Sequence, residues 1–195
     1  MNLPNKLTLL RIILVPFFVA ALLVNAIPNR FLIALIIFCA ASITDMLDGK
    51  IARKYNMVTD FGKFADPLAD KILVISAFAC FIDLRIINSV FIILVLFREF
   101  TVTSIRLVAA EGGKVVAANM WGKAKTVSQM AAIIVVLLNC YVQQLSAYGV
   151  FTAPEKMFPA MNIVNSSLLW ISAVLTVISG IIYIKDNFKF IKNAK

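Results

Sequence analysis

The chain has 195 residues, a formal net charge of +9 and no histidine; 62% of it is apolar and only 15% charged. Soluble domains carry about 25% charged residues, so with a mean hydropathy of +0.93 the composition excludes a soluble globular protein and points to an all-α integral membrane protein. The length allows one helical bundle, residues 1–195 as a single domain, and no separate soluble module.

Six apolar segments follow one another: Leu7–Ile27, Phe31–Asp48, Asp66–Leu84, Ile86–Val108, Lys123–Tyr141 and Ile163–Ile184. Each approaches the ~20 residues that a bilayer crossing takes. No cleavable leader is expected, because the first apolar run follows only Lys6 and is too long for a signal-peptide core. Six crossings return both termini to one side. All but three of the 19 lysines and arginines then share that side, the exceptions being Arg30, Arg85 and Lys156. That bias predicts a six-transmembrane-helix bundle with both termini cytoplasmic. It also accounts for the net charge, together with attraction to anionic lipid, and no nucleic-acid module is recognisable. Cys39, Cys80 and Cys140 sit inside apolar segments and read as packed thiols rather than a disulfide framework. The tail Lys185–Lys195 interleaves lysines with Phe188, Phe190 and Ile191, the pattern of an interfacial amphipathic helix.

Four aspartates stand out. The run Phe31–Thr44 spans only about 21 Å at 1.5 Å per residue, short of the ~30 Å hydrocarbon core, so the second helix must continue through Asp45 and Asp48. The run Ile72–Ile82 covers about 17 Å and needs Asp66 to Lys71 as its first turns. One helix arrives at the cytoplasmic face where the next leaves it, which puts both pairs at one depth. Asp45 and Asp48 are spaced i, i+3, and Asp66 and Asp70 i, i+4, so each pair shares a helical face. A first-turn dipole role explains Asp66 and Asp70 but not Asp45 and Asp48, which fall near a helix C-terminus.

Four carboxylates at low dielectric repel one another unless a cation joins them. Oxygen-only ligation favours Mg²⁺, Mn²⁺ or Ca²⁺ over zinc. Two ions suit four carboxylates, and two-metal sites serve phosphoryl chemistry. Between the pairs, Gly49 leaves room for a ligand at the backbone, Arg53 is within reach of a phosphate, and Gly62 stands one turn before Asp66. Pro67 is expected in a first turn, where its missing N–H costs little. A transporter shows paired repeats or interrupted helices in its two halves; here the acids cluster at one face. A purely structural subunit needs no such costly cluster.

The pattern Asp45-x-x-Asp48-Gly49-x-x-Ala52-Arg53, eight residues, then Gly62-x-x-x-Asp66-x-x-x-Asp70 resembles the signature of the CDP-alcohol phosphotransferases. The resemblance implies a six-helix membrane bundle that transfers a phosphatidyl or similar group from a CDP-linked donor to an alcohol and releases CMP. It implies Asp45, Asp48 and Asp66 as metal ligands. Asp70 would be the general base and a possible fourth ligand, in keeping with a chain that has no histidine. Mg²⁺ and Mn²⁺ satisfy this set equally. Gly49, Ala52, Arg53 and Gly62 would line the donor pocket, and Thr8, near the cytoplasmic end of the first span with Arg11, is within reach of donor phosphate.

Asn2-Leu3-Pro4-Asn5-Lys6-Leu7-Thr8-Leu9-Leu10-Arg11, Arg98-Glu99-Phe100 and Gly122-Lys123-x-Lys125-Thr126-x-x-Gln129 are similar to a bacterial branch of that family. The branch implies CDP-diacylglycerol as donor, sn-glycerol 3-phosphate as acceptor, a bacterial cytoplasmic membrane with the site facing the cytoplasm, and by analogy a homodimer. An anionic acceptor needs cations, and Arg98, Arg106, Lys123 and Lys125 are the candidates. Arg98 falls below the membrane boundary, where an inward cavity is preferred to lipid, with Glu99 as its alternative partner; for Lys114 and Lys125 positive-inside placement competes with a binding role. The aspartate signature does not separate this acceptor from phosphatidylglycerol, serine or an inositol phosphate.

Overall fold

The computed structural model describes residues 2–54, 60–111 and 119–192, excluding the side chains of 3, 4, 46–54, 60–67, 70, 111 and 189–192. Among the described residues the chain forms six helices and no strand: α1 Leu3–Leu23, α2 Arg30–Lys54, α3 Asp60–Asp83, α4 Ser89–Glu111, α5 Met120–Ala147 and α6 Met157–Lys192.

Local chemistry closes several of these helices. Gly149, at φ 73°, ends α5: its N–H donates to the Ser146 carbonyl at 2.9 Å and Val150 N–H to that of Leu145 at 3.1 Å, the paired bonds of a left-handed C-terminal cap. The same pair ends α3, with Arg85 N–H on the Ile82 carbonyl (2.9 Å) and Ile86 N–H on that of Phe81 (2.8 Å). There the left-handed residue is Arg85 at φ 57°, a conformation that costs a non-glycine about 1 kcal/mol. Asn119 caps the start of α5.

Helix α1 packs on α2 and α3, α6 packs on α4 and α5, and α5 meets α2. Aromatic side chains fill the joint: Phe18 lies 5.8 Å from Phe38 and Phe78 4.7 Å from Phe91, ring to ring. Between α5 and α6 three polar pairs run in register, Gln129 on Thr176 (3.1 Å), Asn139 on Asn165 (2.6 Å) and Gln143 on Asn162 (3.2 Å). Where helices lack a hydrophobic drive to associate, such pairs hold register at about 0.6 kcal/mol each.

Among the described residues, three helices are long and apolar enough to cross a membrane, over Asn5–Leu23, Met120–Ala147 and Met157–Phe188. This is a membrane protein. The other three are the helices that carry the aspartates and Arg98, and those charges interrupt their apolar runs.

Three expectations change. Helix α3 begins at Asp60, so Asp66 and Pro67 lie in its interior rather than its first turn, and the dipole explanation of Asp66 and Asp70 falls away. Helix α2 runs past Asp48 to Lys54, so Asp45 and Asp48 are not its terminal residues. The third concerns only where the tail's helix starts: it is helical as expected to Lys192, but as the continuation of α6, because nothing beyond Gly180 breaks it. Its 36 residues reach about 54 Å, well beyond a bilayer core of about 30 Å.

Candidate active site

Asp45 is the one motif aspartate whose side chain is described. It sits on α2 beside α1, where Arg11 Nη1 meets its Oδ1 at 2.7 Å; the Arg11 side chain is 1% exposed and that of Asp45 39%. Arg11 Nε also donates to the Ala41 carbonyl at 3.3 Å, one turn earlier on α2. A guanidinium so deeply buried is tolerated only with a carboxylate and further hydrogen bonds. Arg11 therefore fixes the orientation of Asp45. Thr8 is fully buried one turn before Arg11.

A cavity of about 670 Å³ opens beside Asp45, within the size range of small-molecule sites. Among the described residues five cations line it, Lys71, Arg98, Arg106, Lys123 and Lys125, and two carboxylates, Asp45 and Glu99. Both carboxylates are already engaged. Glu99 Oε1 takes Arg98 Nη1 at 3.0 Å and also meets Lys125 Nζ. The cavity wall is therefore net positive among the described residues and suits a polyanionic ligand.

Four of the five cations, Lys71, Arg98, Arg106 and Lys125, are held by their surroundings. Arg98 Nη2 donates to Ser179 Oγ on α6 at 2.8 Å, and the absent side chain of Gly180 lets it pass, since a Cβ there would lie 3.1 Å from Arg98 Cγ. Arg106 Nε donates to Tyr183 OH at 3.2 Å, with the guanidinium 5.6 Å from the ring centre. Lys71 Nζ donates to Thr103 Oγ1 at 2.5 Å, and Thr103 Oγ1 donates to the Glu99 carbonyl at 2.7 Å. The α3, α4, α5 and α6 helices are thus stitched together around the cavity.

The fold brings Asp45, Arg98, Arg106, Lys123 and Lys125 to one cavity; Thr8 is not part of its lining. Asp48, Gly49, Ala52 and Arg53 on α2, and Gly62, Asp66 and Asp70 on α3, have side chains outside the described residues, and Lys114 lies outside them altogether. Among the described residues no three acidic, cysteine or histidine side chains gather as a metal site. The donor chemistry fits a hard cation nonetheless: Asp45 presents a carboxylate to the cavity, and no thiol lines it, the oxygen preference of Mg²⁺ and Mn²⁺. Sequence reasoning named Glu99 only as a partner for Arg98 and missed its contact with Lys125. It passed over Lys71, Asn119 and Tyr183. For Asn119 a signal existed, an asparagine just before a helical run.

A buried ion-pair framework beside a cavity that is cationic among the described residues suits a polyanionic ligand. The chain belongs to the CDP-alcohol phosphatidyltransferase family, whose model matches residues 1–178. It is 39% identical, over 99% of this chain and 98% of the relative, to the CDP-diacylglycerol–glycerol-3-phosphate 3-phosphatidyltransferase of Bacillus subtilis. Proteins of the same name from Rickettsia felis (38%, 97% of each chain) and Haemophilus influenzae (35%, 94% of this chain and 92% of the relative) are similar over nearly the same length.

Proposed function

We propose that the chain transfers the phosphatidyl group of CDP-diacylglycerol to sn-glycerol 3-phosphate, giving phosphatidylglycerophosphate and CMP. The observation that carries this reading is that, among the described residues, five cations converge on one cavity beside Asp45, as an acceptor that is itself a phosphate requires. The relatives' names favour the same acceptor. Residues 1–195 act as one domain. In this reading all six helices cross the bacterial cytoplasmic membrane, both termini and the site face the cytoplasm, and the excess of lysine and arginine on that side supports the orientation.

Asp45, Asp48, Asp66 and Asp70 hold Mg²⁺ or Mn²⁺, two ions for four carboxylates. A bound divalent ion neutralises charge on the donor diphosphate and on departing CMP. Arg11 keeps Asp45 turned toward the cavity. Gly49, Ala52, Arg53, Gly62 and Thr8 shape the donor end. Arg98, Arg106, Lys123 and Lys125 seat the acceptor phosphate, which leaves its terminal hydroxyl toward α2 and α3. Asp70 takes the proton of that hydroxyl as its oxygen bonds to the phosphatidyl phosphorus, and the bond from that phosphorus to CMP breaks. The apolar outer faces of the bundle keep the diacylglycerol chains in lipid.

The test is CMP release from CDP-diacylglycerol by the purified protein in detergent, with and without glycerol 3-phosphate. Release is expected only with the acceptor and a divalent ion, and Asp70→Asn is expected to slow it by about a thousandfold, the scale of losing both a base and a ligand. Preference for serine, phosphatidylglycerol or inositol phosphate in the same assay would overturn the assignment.

Arg98→Ala is expected to raise the KM for glycerol 3-phosphate about tenfold to a hundredfold, the worth of a charge-assisted hydrogen bond. The KM for CDP-diacylglycerol should move little. An unchanged acceptor KM would remove Arg98 from the acceptor site.

A further inference from the structure

We propose that Asn119 is a phosphate-binding side chain, donating its Nδ2–H, beside Arg98 Nε–H, to the phosphate of the acceptor. The identity of that acceptor rests on the function proposed above; the phosphate seat itself does not.

Asn119 caps α5 in extended backbone geometry, φ −83° and ψ 166°. Its Oδ1 accepts the Gly122 N–H at 2.8 Å. That bond settles which way the amide faces, because only the oxygen can accept. The NH₂ end is left over. Nδ2 is buried and, among the described residues, has no hydrogen-bond partner, and Asn119 lines the cationic cavity.

Arg98 repeats the pattern. Its Nη1 is on Glu99 at 3.0 Å and its Nη2 on Ser179 at 2.8 Å. Its Nε is buried without a partner among the described residues, on a side chain only 10% exposed that lines the same cavity. The two side chains are neighbours. A Cβ on Gly122 would lie 3.2 Å from Asn119 Oδ1 and 3.4 Å from Arg98 Nη2, so both flank the one glycine.

The large majority of buried side-chain polar atoms have a hydrogen-bond partner, and each orphan is costly. Two orphaned donors on side chains that line one cavity are accounted for by a ligand that supplies oxygen acceptors and no donors. A phosphate does so, and Lys123 and Lys125 on the adjacent turn of α5 match its charge. The acceptor's phosphate is the better occupant than the donor's diphosphate. These donors come from α4 and α5, whereas the motif aspartates that the diphosphate must approach come from α2 and α3.

Capping alone does not need an amide, since aspartate and serine cap as well as asparagine. Asn119→Asp keeps the cap, removes the donor and turns a negative charge toward the phosphate. It is expected to raise the KM for glycerol 3-phosphate about tenfold to a hundredfold, with the KM for CDP-diacylglycerol and the melting temperature unchanged. Asn119→Ser, which caps but is too short to reach the seat, should give about a tenfold rise. Calorimetric titration of the wild type and both variants with inorganic phosphate reads the seat without turnover, and binding should weaken in the same order. Equal phosphate affinity in wild type and Asn119→Asp would overturn the seat, as would a rise in the donor KM in place of the acceptor's. A wild type that binds phosphate Asn119-dependently but releases no CMP with glycerol 3-phosphate would sink the proposed acceptor and leave the seat standing.

Discussion

Asp45→Ala is expected to abolish CMP release, by about a thousandfold or more, and to weaken the fold as well. Two separate losses produce this. The first is a carboxylate that lines the cavity and is proposed above as a metal ligand. The second is the counter-charge 2.7 Å from Arg11, whose side chain is 1% exposed. Removing one partner of a buried ion pair costs about 3–5 kcal/mol. Asp45 is 39% exposed, so water screens part of the interaction, and about 2 kcal/mol is the expected loss. The two effects separate in a double variant. Arg11→Met in the Asp45→Ala background removes the buried charge and fills its volume with an apolar chain, a replacement that is often neutral or stabilising. Stability should return while activity stays lost. Chemical unfolding in detergent for the four members of this cycle measures the coupling. If the double variant is no more stable than Asp45→Ala, the ion pair is not what the aspartate contributes to the fold. Arg11→Met alone keeps the carboxylate but frees its orientation, so it should lower kcat more than it lowers stability.

Glu99→Gln is the second large effect, and its sign for stability and for binding should differ. Glu99 Oε1 joins Arg98 and Lys125, and all three side chains are at least nine-tenths buried. Neutralising the carboxylate leaves two buried cations facing each other across one amide. The expected loss is about 3 kcal/mol, read as a lower melting temperature. The same change makes the cavity more positive, so glycerol 3-phosphate or inorganic phosphate should bind at least as tightly as to the wild type. An anion in the cavity then supplies the missing counter-charge. Added glycerol 3-phosphate should raise the melting temperature of Glu99→Gln by more than that of the wild type, since a ligand stabilises the state it binds. A variant that melts with the wild type and gains nothing extra from phosphate would show that Glu99 does not hold the two cations in place. Lys125→Met should partly restore stability to Glu99→Gln and lose acceptor affinity.

Much of this was legible in the residues. The six apolar segments correspond to six helices, and the short run before Asp45 required α2 to pass through the aspartates, as it does, continuing to Lys54. The placement of Arg98, Arg106, Lys123 and Lys125 on one side of a six-crossing topology anticipated their meeting at a common cavity. Boundaries were less legible. Asp66 and Pro67 looked like a helix start because both residue types favour first turns, yet α3 begins at Asp60; a local preference gives way when the helix has further turns to add. The tail reads as an interfacial amphipathic helix because its lysines and phenylalanines are interleaved, and it is helical to Lys192. It continues α6 because no glycine or proline intervenes.

Hydrophobic run length by itself determined an all-helical membrane protein, because insertion into lipid depends on local composition, and the spacing of the motif from Asp45 to Asp70 pointed to its family. The tertiary structure alone decided which partner each buried charge takes. Arg11 pairs with Asp45, Glu99 joins Arg98 to Lys125, Arg98 reaches Ser179 81 residues away, and the Asn119 amide has, among the described residues, no partner for its donor. Such choices depend on how helices distant in the chain rotate and approach. At low dielectric every polar group takes whatever partner that packing brings within about 3 Å.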